Sequence, residues 1–188
     1  MPDTSWQEEV GGRVLPSQIV VAALLGASIA FLAVAAVLVH LDVFQPMEEA
    51  AWALNLVLIL FLILEMTARA FVPGLIVAQG RGKIASGQWS LPEEARQGDI
   101  AAFIERTDDA GRLLGLYQTR TVIASAMLEG VAFLAIIVYL LTQSIVGLAI
   151  AVVMIVGLAL HIPTRSGVVH WIEDQLQLIE EQRRLGSA

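Results

Sequence analysis

Four long apolar runs dominate the chain, and most of its polar residues lie between them. Residues 17–41 form the first run, interrupted in its interior only by Ser28. About 20 helical residues suffice to cross the ~30 Å hydrocarbon core of a bilayer, so this run is long enough to span one. The second run covers residues 52–72. It opens on Trp52, a plausible interface anchor, carries Glu65 and Arg69, and ends where Pro73-Gly74 predicts a break or kink. The third, residues 117–141, holds Glu129 near its middle, and the fourth, residues 145–162, stops before Pro163 and Arg165. Thr142-Gln143-Ser144 leaves room only for a tight turn between them. The pattern predicts four membrane-spanning helices arranged as two hairpins.

The intervening segments carry weaker periodicities. Residues 1–13 read as a polar tail or short surface helix, and residues 42–50 as a polar connection containing Pro46, Glu48 and Glu49. Residues 80–98 are rich in Gly, Ser and Pro, after which Ile100, Phe103, Ile104 and Leu114 recur at helical spacing among charges. That spacing predicts an interfacial amphipathic helix over about residues 94–116. In residues 167–185, Val169, Ile172, Leu176 and Ile179 follow 3, 4, 3 spacing, with Glu173, Asp174, Glu180 and Glu181 on other faces. Such a stripe needs a cover. Docking near Phe103, lying at the headgroups with Trp171, and contact with a second copy or a larger membrane complex all provide one. Gly147 and Ala151 form a small-xxx-small pair that permits close helix approach.

Composition strengthens the membrane reading. The chain is 57% hydrophobic and only 15% charged, where soluble domains carry roughly a quarter charged residues. We therefore expect an all-α polytopic membrane protein, with residues 1–188 as one domain and the lipid bilayer as its main partner. The first run exceeds the roughly 7–15 residues of a cleaved signal, so it reads as a retained anchor. The absence of cysteine excludes disulfides and thiol chemistry, and a net charge of -7 argues against nucleic acid. Residues 42–50 and 142–144 contain no Lys or Arg, whereas Arg81, Lys83, Arg96, Arg106 and Arg112 separate the second and third runs and Arg165, Arg183 and Arg184 follow the fourth. Retention of basic residues on the inner side places both termini in the cytoplasm, most naturally across a bacterial inner (plasma) membrane.

Charges inside the runs are the candidate chemistry, because an ionisable group in hydrocarbon is costly and usually has a task. If the second and third helices are antiparallel, Glu65 lies seven residues (72 minus 65) from the inner end and Glu129 nine (129 minus 120) beyond Arg120. At 1.5 Å per residue these are depths of roughly 10 and 14 Å, with Arg69 one turn from Glu65. Two carboxylates brought together tend to share a proton, while a neighbouring cation favours their ionised forms. The three residues therefore read either as a structural charge cluster, with Glu129 satisfied by the pair or by Ser125, or as a proton-binding site centred on Glu129.

Gln118-Thr119-Arg120 followed by small and apolar residues, then Leu128-Glu129-Gly130 and Phe133, resembles the carboxylate-bearing helix of the F-type ATP synthase c subunit, the proteolipid. The likeness covers residues 117–141. It implies that the second and third spans correspond to the two-helix proteolipid hairpin, and that Glu129 is the proton-binding carboxylate of a membrane complex.

Other motifs carry less. Gly80-Arg81-Gly82-Lys83 lacks the spacing and hydroxyl of a nucleotide-binding loop and reads as a basic loop. His40, His161 and His170 lie near predicted membrane boundaries without metal-ligand spacing, and Ser125 and Ser144 lack an evident base. No catalytic residue, metal or cofactor is assigned, and the chain reads as a non-enzyme.

Overall fold

A computed structural model describes residues 5–91 and 98–186. The described residues are 87% helical and contain no strand. Seven helices follow in order: α1 (Ser5–Gly12), α2 (Leu15–His40), α3 (Glu48–Ala85), α4 (Asp99–Thr107), α5 (Asp109–Thr142), α6 (Ile145–Leu160) and α7 (Arg165–Gly186). Three helical stretches, Trp6–His40, Glu48–Ala85 and Asp109–Thr142, are long and apolar enough to cross a membrane, and a fourth is counted if α6 is taken with α7. The 16 residues of α6 span about 24 Å, short of the ~30 Å core, which is why it does not qualify alone.

Two helices outrun their apolar runs. α3 continues through Pro73 to Ala85, so Pro73-Gly74 does not end it. Gly80 to Lys83 is accordingly helical rather than a loop. Gly80 is buried, and an added Cβ would collide with the Leu116 side chain, so the bare backbone lets α3 approach α5 there. α5 begins eight residues before Tyr117 (117 minus 109), which leaves α4 as a separate helix of nine residues. Residues 94–97 of the expected interfacial segment, Arg96 among them, lie outside the described residues.

Packing sorts the chain into two compact units, each built from segments remote in sequence. One unit comprises residues 18–72 and 122–162. Its core has two layers. Leu128, Val131, Ala132, Met154 and Leu158 pack with Leu25, Phe61 and Met66 in one, and Ala35, Leu58, Ala135, Ile136 and Ala151 with Phe31 and Leu54 in the other. α5 is the hub: half of its most apolar 18 residues are buried, against 6% for α3. The outward faces are apolar as well, including Val34 and Val37 on α2, Leu60, Ile63 and Leu64 on α3, and Val152, Val153 and Val156 on α6. Apolar surface on this scale suits lipid and is foreign to water-facing monomers. Both connections of this unit meet at one end: Met47 N donates to Leu141 O (2.9 Å), and Ser144 Oγ to Asn55 Oδ1 (3.1 Å). The expected tight turn is present, with Gln143 at φ 54° and Ser144 capping α6 by accepting from Val146 N (3.2 Å).

The other unit comprises residues 1–17, 73–121 and 163–188. Val10, Ile84, Phe103, Leu113, Val168, Ile172 and Ile179 form its core. The apolar stripe of α7 is thus covered from within the chain, in the same core as Phe103. Trp171 packs edge-on against Tyr117 with ring centroids 5.2 Å apart. Asp109, at the start of α5, is the polar centre of the unit. It accepts from Arg112 Nη1 (2.8 Å) and pairs with Arg183 Nη1 (2.7 Å), and Arg183 also reaches the terminal carbonyl of Ile84 on α3 (3.3 Å).

Candidate functional site

The unit of residues 18–72 and 122–162 contains the charges that lie inside apolar helices, Glu65 and Arg69 on α3 and Glu129 on α5. The α-helical register places Glu65 and Arg69 on one face of α3, one turn apart, and Ser125 and Glu129 one turn apart on α5. The long side chain of Arg69 bridges from α3 to other elements. Its Nη1 donates to Ala124 O on α5 (3.1 Å), and its Nη2 lies 3.5 Å from Nδ1 of His161, the residue that caps the C-terminus of α6. A guanidinium only donates, so Nδ1 is the accepting nitrogen of that contact. One side chain on α3 therefore reaches two further helix segments, in a setting where a polar group without a partner is expensive.

The carboxylates stand differently from one another. Oε2 of Glu65 is buried with no hydrogen-bond partner among the described residues, whereas Glu129 is half-buried on α5. The hydroxyl of Ser125, fully buried, likewise has no partner, so it does not satisfy Glu129 as the sequence reading allowed. Ser28 Oγ on α2 is a third such atom. By contrast, Thr67 and Thr142 return their hydroxyls to the carbonyls four residues back, Ile63 and Val138, at 2.7 Å each. This layer brings the Arg69 guanidinium to a backbone carbonyl and an imidazole, with a buried carboxylate oxygen of Glu65 one turn away along α3.

Two participants escaped the sequence reading. His161 was visible as a boundary histidine, but nothing in the sequence assigned it to Arg69. The carbonyl of Ala124 has no side-chain signature at all. Ser144, set aside as a nucleophile, serves as a helix cap. Among the described residues no cluster of three or more His, Asp or Glu has the disposition of a metal site. No known protein family matches this chain, and comparison with curated proteins and with solved structures returned no match.

Proposed function

We propose that the chain is a non-enzymatic integral membrane protein of four spans with both termini in the cytoplasm, a structural or assembly subunit whose intramembrane charges hold helices together. The observation that carries this reading is the position of Arg69, which directs donors to a backbone carbonyl on one neighbouring helix and to a histidine capping another. The two connections without Lys or Arg meet at one end of their unit, which supports placing that end outside. With the apolar stripe of α7 covered from within, contact with a partner or a second copy falls to its outer face, which carries Asp174, Glu180 and Glu181.

The second reading is proton binding at Glu129, in line with the proteolipid resemblance. Its support is a half-buried carboxylate on the hub helix, within a unit that also buries an unpartnered oxygen of Glu65. Span two departs from the proteolipid pattern, since Leu, Ile and Phe occupy α3 where small residues pack a ring.

A hydrophobic carbodiimide separates the two, because it modifies protonated carboxyl groups in apolar surroundings. The structural reading predicts no saturable modification of Glu129 when peptides of membrane-embedded protein are mapped by mass. Rapid, pH-dependent modification at Glu129 that disappears in Glu129→Gln would replace it with the proton-binding reading.

A further inference from the structure

The unit of residues 1–17, 73–121 and 163–188 contains a cavity of about 630 Å³, within the range of pockets that hold small molecules. Its walls are mostly apolar, with Ile100, Phe103, Leu114 and Trp89 among them, yet two arginines line it and no carboxylate does among the described residues. Arg112 is committed to Asp108 and Asp109 by its terminal nitrogens, but its Nε is buried without an acceptor. Arg13 has a different role. Its guanidinium stacks over Phe103 at 4.4 Å and makes one long contact, 3.4 Å, to the backbone oxygen of Asp99, while Gln118 holds its backbone by donating to Arg13 O (3.3 Å). A cation resting on an aromatic ring, with donors to spare, faces a cavity whose described lining carries no carboxylate.

The sequence position of the lining narrows the occupant. Arg13 and Pro16 flank the start of α2, and Gln118 and Thr119 lie in the first turn of the third apolar run, on α5. These are the positions at which membrane proteins meet headgroups. Basic pockets at helix ends on the cytoplasmic side attract anionic lipids. We propose that this cavity binds one anionic phospholipid, its phosphate at Arg13 and the remaining amide hydrogen of Gln118, beside a Thr119 whose hydroxyl donates to Gly115 O (3.0 Å), and the upper part of an acyl chain against Ile100, Phe103 and Leu114. The inference rests on the membrane reading but not on any role for Glu129 or Arg69.

Native mass spectrometry of the detergent-solubilised protein, titrated with phosphatidylglycerol, phosphatidylcholine or inorganic phosphate, tests it. We expect one phosphatidylglycerol to bind in preference to phosphatidylcholine. Arg13→Gln should weaken that binding about fivefold, the contribution of one basic residue near a membrane surface, while Arg13→Lys largely retains it. Gly115 lines the cavity with nothing within 4 Å of an added Cβ, so Gly115→Leu should fill the space without a backbone clash and remove the bound lipid. Arg165→Gln, outside the cavity, should bind as the parent does. Equal binding of both lipids, parental binding by Arg13→Gln and Gly115→Leu, or occupation by inorganic phosphate alone would each overturn the proposal. Recovery of the protein from carbonate-washed membranes without bound lipid would leave the membrane reading standing and this one refuted.

Discussion

Gly147→Leu is expected to prevent the protein from accumulating in membranes. An ideal Cβ at this position would lie 2.9 Å from Tyr139 N and 3.1 Å from Ala135 O, both backbone atoms of α5. Backbone in the middle of a helix cannot move aside as a flexible side chain does. The hairpin has no slack to absorb the change, because Gln143 and Ser144 already complete the turn and Ala151, one turn further on, is fully buried. Overpacking of a filled core typically costs about 1–3 kcal/mol and occasionally more. Leucine here should fall at or beyond the upper end, and alanine near the lower. Gly26 is the control: nothing lies within 4 Å of its added Cβ, so Gly26→Ala should be neutral or gain up to about 1 kcal/mol from helix propensity. Membrane accumulation checks Gly147→Leu, and reversible unfolding in mixed micelles, followed by circular dichroism, ranks Gly147→Ala and Gly26→Ala against the parent. A Gly147→Ala protein as stable as the parent would show that α5 and α6 do not pack as described.

The second large effect is expected at Asp109→Ala. Asp109 leaves only 9% of its side chain exposed and engages both Arg112 and Arg183, while the arginine partners are 28% and 45% exposed. Removing one member of a buried pair costs about 3–5 kcal/mol, and the exposure of Arg183 brings the expectation to about 2–3 kcal/mol. The loss should be confined to its own unit. Arg183 also binds the terminal carbonyls of Ile84 and Ala85, so Asp109 orders the groove between the end of α3, the start of α5 and α7. Limited proteolysis should open α7 in Asp109→Ala. A double-mutant cycle with Arg183→Ala should return a coupling energy of about 1–2 kcal/mol. Independent, additive effects would mean that the ion pair does not organise the unit.

Much of the architecture was legible in the hydrophobic pattern. Runs of 20 or more apolar residues have few alternatives to helix in a membrane, and the turn at Gln143 and Ser144 followed from how little chain separates two of them. The stripe of α7 was readable too, because Ile172 and Ile179 recur on one face, although which surface would cover them was left open. Helix ends were not legible. Apolar content ends near Val72 and begins near Tyr117, but backbone hydrogen bonding carries α3 to Ala85 and α5 back to Asp109, and those extensions create the second compact unit. The interior charges were visible as a group, whereas their partners were not, since Arg69 uses a backbone carbonyl and a histidine distant in sequence. The Asp109–Arg183 pair was missed for the same reason: 74 residues (183 minus 109) separate its members.

We propose that Arg69 holds helices together and that Glu129 is dispensable for the fold. The most direct measurement compares the unfolding free energies of Arg69→Leu and Glu129→Gln in one lipid environment. Arg69→Leu should lose about 1–2 kcal/mol, the upper range for interhelical hydrogen bonds in membranes, and Glu129→Gln should remain within about 0.5 kcal/mol of the parent. A stable Arg69→Leu protein beside a strongly altered Glu129→Gln protein would contradict the account.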